Sequence, residues 1–222
     1  MSQDQWSSVE RYIVDAVVGA DPVLEAAIAD SAAAGLPPIA VSPNEGKFLN
    51  LLARAIGAKR ILEIGTLGGY SAIWLGRALS SDGTLITLEA VEKHAEVARK
   101  NIARAGLADR VDLRLGRALE TLPKILAARE GPFDLIFIDA DKPAICDYFE
   151  WSLKLARPGT MIVVDNVVRT GKIVDANSAD ASVQGVRRFY QMLASEKRAS
   201  ATAIQTVGSK GYDGFSIAIV NG

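Results

Sequence analysis

From Lys59 onward, short apolar runs alternate with amphipathic stretches of helical length, and this alternation restricts the fold more than any other feature of the sequence. The apolar runs are Arg60–Ile64, Thr84–Leu88, Val111–Leu115, Phe133–Ile138 and Met161–Val164, and the stretches between them cover about 70–80, 91–106, 117–129 and 142–156. A strand that reads as one continuous apolar run is buried on both faces, which implies a parallel sheet with helices on both sides. A polar loop follows Thr170 to about Ser182, then a helix over about 183–195. Two final strands, near 201–207 and 214–220, are joined by the Gly-rich segment Gly208–Gly214. That join is short enough for a hairpin, so an antiparallel strand is expected to close the sheet.

The first 58 residues read as helical. Ile13, Val14, Val17 and Val18 recur at helical spacing, Asp21-Pro22 supplies an N-cap and first-turn proline, Leu36-Pro37-Pro38 breaks that helix, and Ser42-Pro43 opens a third. With no internal repeat and no linker, the 222 residues are expected to form a single α/β domain, 1–58 a helical cap and 59–222 the core. Lys and Arg number 25 and Asp and Glu 26, so a net charge of −1 gives no electrostatic case for nucleic acid. No apolar run approaches the ~18 residues of a membrane span. The opening MSQDQWSSVE has no basic segment followed by an apolar one, and Cys146 is the only cysteine. The expectation is a cytoplasmic protein without a membrane partner.

Four of the five apolar runs lead into an acid: Glu63, Glu89, Asp139 and Asp165. Ligands of doubly wound sheets bind outside the carboxyl ends of the strands, so a row of anions there calls for something to neutralise it. Glu63-Ile64-Gly65-Thr66-Leu67-Gly68-Gly69-Tyr70-Ser71 is a Gly-rich turn from strand to helix, suited to close backbone approach and to an anion at the helix N-terminus. Its G-x-x-G-G spacing is not the G-x-G-x-x-G of dinucleotide sites, which argues against an NAD-dependent dehydrogenase. Glu89 lies 20 residues beyond Gly69, where a carboxylate accepts the hydroxyls of an adenosine ribose. A nucleoside with a small anionic head fits, and S-adenosylmethionine is one.

Asp139, Asp165 and Asn166 offer three hard oxygen ligands, which suit Mg²⁺, Mn²⁺ or Ca²⁺ and not zinc. Lys142, three residues past Asp139, reads either as a solvated partner of Asp141 or as a general base whose pKa a nearby cation lowers.

The motifs Glu63-Ile64-Gly65 with Gly69-Tyr70-Ser71, then Asp139-Ala140-Asp141-Lys142, then Asp165-Asn166 resemble those of the cation-dependent O-methyltransferases, the family of the catechol and caffeoyl-coenzyme A O-methyltransferases. The resemblance runs from Asn44 to Phe215. It implies a Rossmann-like fold with a seven-stranded, mostly parallel sheet whose last strand is antiparallel, and commonly a homodimer. It implies that Val41, Glu63, Gly65, Thr66, Ser71, Glu89, Ala118, Asp139 and Asp141 contact S-adenosylmethionine. Asp139, Asp165 and Asn166 would hold a divalent cation, Mg²⁺ first, with Lys142 as base and a catechol-like phenol as acceptor. The acceptor's identity does not carry over, because 167–182 matches least. A non-catalytic cofactor- or partner-binding module is the alternative from another class. His94 reads as solvated, at most approaching an adenine edge, and Arg169 and Lys172 as solvated loop charges rather than attractors of an acidic substrate tail; Cys146 reads as a buried small residue, and Trp6, Trp74 and Trp151 as packing residues.

Overall fold

The computed structural model describes residues 2–222. Helices α1 (Gln3–Ile13), α2 (Pro22–Ala33) and α3 (Pro43–Ala55) precede the alternating elements β1 (Arg60–Ile64), α4 (Tyr70–Ala78), β2 (Thr84–Glu89), α5 (Glu92–Arg104), β3 (Val111–Leu115), α6 (Ala118–Ala127), β4 (Leu135–Ile138), α7 (Ile145–Lys154) and β5 (Met161–Asp165). Helix α8 (Ala181–Ser195) and the hairpin β6 (Ala199–Gly208) and β7 (Gly211–Val220) complete the chain.

The seven strands lie in the order β3-β2-β1-β4-β5-β7-β6. The first five pair in parallel, and β7 runs antiparallel to both neighbours. This is the expected sheet. Strand side chains alternate between two cores. Ile61, Leu85, Leu135 and Phe137 pack with Leu49, Ile73, Leu75 and Ile102 on one face. Leu62, Ile86, Ile136 and Ile162 pack with Leu122, Ile125, Phe149 and Phe189 on the other. The winding direction reverses between β1 and β4, which opens a crevice at their carboxyl ends.

The helix starts follow the capping chemistry. Asp21 Oδ1 accepts from the amides of Val23 and Leu24, and Ser42 and Glu45 form a reciprocal capping box at α3. Three segments differ from the sequence reading. First, α1 stops at Ile13, Val14–Val18 forms a π-helical turn, and Ile13 and Val17 are exposed. Second, the hairpin turn is only Ser209-Lys210, because β6 and β7 pair as far as Gly208 and Gly211. Gly214 belongs to the ladder: a Cβ there would stand 2.2 Å from the Ile204 carbonyl oxygen. Third, the helix expected from 142 begins at Ile145, after a 3₁₀ turn over Lys142–Ala144 that holds Pro143. Among the described residues no helix is long and apolar enough to cross a membrane.

Asn101 ties the helical layer to the Gly-rich turn. It is fully buried, and its Nδ2 donates to the carbonyls of Gly68 (2.9 Å) and Ala27 (3.3 Å). Removing a buried donor leaves its acceptor unpaired, at a cost of about 1–3 kcal/mol. Asn101→Ala should lose about that much stability in urea denaturation, and an unchanged midpoint would refute the tie.

Candidate active site

A cavity of about 410 Å³ opens at the carboxyl ends of β1, β2 and β4. Its wall includes Val41, Gly65, Thr66, Ser71, Glu89, Ala118, Asp139 and Asp141, so eight of the nine residues expected to face a cofactor converge on one space. The volume lies within the ~300–1,000 Å³ of small-molecule sites.

The Gly-rich turn is shaped by two contacts. A Cβ on Gly65 (φ +99°) would lie 2.0 Å from the Asp139 carbonyl oxygen, and one on Gly68 would lie 2.0 Å from Ser31 Oγ. Glycine is required at Gly65 because backbone faces it there, whereas at Gly68 a side chain would have to displace the Ser31 hydroxyl. The turn then aims its amides at Glu89. Oε2 accepts from Thr66 N (3.3 Å) and Leu67 N (2.8 Å), and Oε1 accepts from Val91 N (2.9 Å). Three backbone donors stabilise this buried carboxylate, and a lone pair on Oε1 remains for a ligand hydroxyl.

Glu63 is the exception among the nine. It lies inside β1, opposite Thr87, fully buried and beneath the cavity wall. The strand runs on to Ile64, so the row of acids at the sheet edge has three members, not four. Thr87 Oγ1 donates to Glu63 Oε2 at 2.5 Å and stands 2.5 Å from Thr66 Oγ1, while Oε1 has no partner. Burial, aided by the charges of Asp139 and Glu89, pushes the Glu63 carboxyl up to about 8 against the pull of the Ser71 and Thr87 hydroxyls.

Lys142 is buried, with Nζ 3.2 Å from Asp139 Oδ1. It sits on the 3₁₀ turn ahead of α7. Helix α8 presses against the turn: a Cβ on Gly185 would stand 2.1 Å from the Lys142 carbonyl oxygen. Asp165 ends β5 and is also buried, its Oδ1 accepting from Asn166 N (2.7 Å), with Asn166 in the left-handed region at φ 55°. Burial holds the Asp165 carboxyl well above its usual range, the charges of Asp139 and Glu45 add to that, and Lys142 opposes it.

Among the described residues no three carboxylate, imidazole or thiolate side chains are placed to hold a metal. The candidate set is two carboxylates and one amide, Asp139, Asp165 and Asn166. It fits a hard divalent cation, because two neighbouring carboxylates share one lysine and the more buried of them resists ionisation for want of positive charge.

Four further side chains line the cavity, of which Tyr148 and Ser182 were not singled out in the sequence. His94 is not solvated: it lines the cavity with Nδ1 3.4 Å from Glu89 Oε1. Tyr148, also in the wall, donates its hydroxyl to Asp141 Oδ1 at 2.5 Å and fixes that carboxylate. Their positions on α5 and α7 carry no signal beyond helical spacing. Arg169 was read as solvated, yet it lines the cavity and its Nε is buried without a partner. Ser182 completes the wall near the start of α8. Lys172 is exposed, as expected, Cys146 is half-buried, and Trp74 is buried while Trp6 and Trp151 are half-buried.

A second cavity, about 700 Å³, adjoins the first across Val41, Asn166 and Arg169. Asp165, Phe48 and Phe215 line it, and the β6–β7 turn forms its outer rim. The Phe48 and Phe215 rings pack against each other, tilted by 41° with centroids 5.1 Å apart. The site is therefore two chambers meeting beside the Asp139–Lys142 pair.

Residues 16–215 match a family described as O-methyltransferase. A catechol O-methyltransferase of Niastella koreensis is 54% identical over 99% of this chain and 100% of its own length. One from Mycobacterium tuberculosis is 55% identical over 96% and 94%. The structure of an O-methyltransferase from Bacillus cereus in complex with SAH superposes with a TM-score of 0.98, 56% identity, and coverage of 99% of this chain and 100% of that one.

The state of Glu63 gives a test. A carboxylate that ionises at an ordinary value unfolded, but near 8 when buried, costs the folded chain more as pH rises between those values. Below the ordinary value the cost is absent, and above about 8 it is constant. Without added ligand, Glu63→Gln should match wild type in urea near pH 4.5 and exceed it by on the order of 2–4 kcal/mol near pH 8. Parallel stability curves for the two proteins would refute a neutral Glu63.

Proposed function

The chain belongs to the O-methyltransferase family, and on that basis we propose that it moves the methyl group of S-adenosylmethionine to one hydroxyl of a small aromatic vicinal diol. One observation carries this reading: a nucleoside-sized chamber and an aromatic-lined chamber meet beside Asp139, Lys142 and Asn166. The names of the relatives from Niastella and Mycobacterium support a catechol acceptor, and SAH in the Bacillus structure supports the donor.

Glu89 takes a ribose hydroxyl on the Oε1 lone pair that its three amide donors leave open. Asp141, held by Tyr148, and His94 face the adenine, with Ala118 beneath it. Gly65, Thr66 and Ser71 line the methionine end, with Glu63 buried in β1 behind them.

Asp139, Asp165 and Asn166 would hold a divalent cation, Mg²⁺, Mn²⁺ or Ca²⁺. When bound, the cation supplies positive charge that favours ionisation of an acceptor hydroxyl. Lys142 Nζ, buried beside Asp139, accepts that proton. The deprotonated oxygen then forms its bond to the methyl carbon as the sulfur–carbon bond breaks, leaving a neutral thioether. The two chambers hold the reactants in line, an advantage of up to roughly 7–11 kcal/mol in well-oriented systems. We propose a cytoplasmic location and a homodimer, the latter supported by the exposed Val9, Tyr12, Ile13 and Val17 on the first helical segment.

Catechol, labelled donor and Mg²⁺ should give methylated product, lost with EDTA and reduced at least 100-fold by Asp165→Ala. Turnover surviving both would remove the metal from the scheme. Lys142→Met should slow kcat by about 10²–10⁴-fold, the range of general-base groups. Recovery toward the ionisation pH of the acceptor would mark a lost base, and a pH-independent loss would mark a positioning residue. Light scattering after gel filtration reads the dimer.

A further inference from the structure

Arg169 stands where the two chambers meet, and its guanidinium makes no ion pair among the described residues. Its Nε is buried without a partner. Every other half-buried arginine has a partner: Arg77 pairs with Asp21 and Arg114 with Glu130, while Arg110 and Arg187 donate to the carbonyls of Leu79 and Ile173. Buried donors of a cation are almost always hydrogen-bonded in a finished site, so an unpaired one marks the place of a ligand oxygen.

The backbone holds Arg169 there at a conformational cost. Its φ is 54°, in the left-handed region that favours glycine, and Thr170 follows at 55°. Asp213 Oδ1 accepts from the amides of Val168 and Arg169, both at 2.9 Å, and so pins the turn.

None of the acids of the acceptor chamber reaches this arginine at ion-pair distance, and Asp180 acts on it only through charge from farther away. Asp213 is engaged by the turn, Glu45 Oε2 accepts from Ser42 N (2.8 Å), and Glu10 Oε2 accepts from Ser209 N. Asp165 belongs to the metal-type set on the other side of Asn166. The chamber thus offers apolar ring contacts from Phe48 and Phe215, and one forked cation beside the reacting end.

We propose that Arg169 selects the acceptor: an aromatic vicinal diol carrying a carboxylate, whose two oxygens meet the guanidinium fork while the diol faces Asp139 and Lys142. The inference rests on the methyltransferase reading and deepens it. A planar carboxylate matches the fork in a bidentate pair, which a lysine's point charge does not reproduce.

The test uses a matched set of acceptors: a dihydroxyphenyl carboxylate, its amide, its amine counterpart and unsubstituted catechol. Wild type should favour the carboxylate over the amide at least tenfold in kcat/KM, mainly through KM. Arg169→Met should bring the carboxylate-to-amide ratio near one, whatever it does to catechol itself, and Arg169→Lys should retain only part of it. A wild-type ratio near one, a preference for the amine, or an Arg169→Met ratio equal to wild type would overturn the assignment while leaving catechol methylation standing. If wild type methylates no diol, the function reading fails first, and calorimetry decides the rest. Binding of 3,4-dihydroxybenzoate that Arg169→Met weakens tenfold would still support the arginine, and equal binding would overturn it.

Discussion

The ends of β1 and β4 touch backbone to backbone, and the site is built outward from that contact. The Asp139 amide donates to the Ile64 carbonyl (2.9 Å), the Gly65 amide donates to the Leu88 carbonyl (3.0 Å), and no Cβ fits between Gly65 and Asp139. This is the point where the sheet reverses its winding, so the chain leaves β1 and β4 toward opposite faces. The crevice between them receives the Thr66 and Leu67 amides from one side and the Asp139–Lys142 turn from the other. A bulkier residue at Gly65 would push apart the two halves of the site together.

The same crevice gathers more carboxylates than cations, and each is accommodated by a different device. Backbone amides hold Glu89. Lys142 partners Asp139. Glu63, inside the sheet, is spared ionisation near neutrality because burial raises its carboxyl to about 8. Asp165 is left without a cation of its own. The acids are thereby held in different ways, by backbone amides at Glu89, by a lysine at Asp139 and by burial at Glu63 and Asp165. The scaffold tolerates the arrangement because large apolar cores back both faces of the sheet.

Two tight helix contacts complete the positioning. Gly185 lets α8 press on the carbonyl of Lys142, and Asn101 anchors the Gly-rich turn to α2 and α5. Both lie outside the chemistry, and both explain why the reactive groups sit on rigid turns rather than free loops.

The sheet, its helical cover and the order of motifs along it are written in the sequence. Apolar period and capping chemistry are local properties, so Asp21, Ser42 and the five runs from Arg60 to Val164 could be read directly. The convergence of Gly65, Glu89, Asp139 and Asp141 followed from a topological rule plus family resemblance. Burial and pairing between distant segments arise only in the folded chain. Glu63 looks like the other strand-end acids in the sequence, yet one residue of strand beyond it turns an edge group into a core group. Ile13 and Val17 have core-like period but face outward. Arg169 reads as a loop charge, but Asp213, 44 residues away, bends its backbone and turns it into the site. Solvation and hydrogen-bond partners depend on neighbours far along the chain, and no local pattern encodes them.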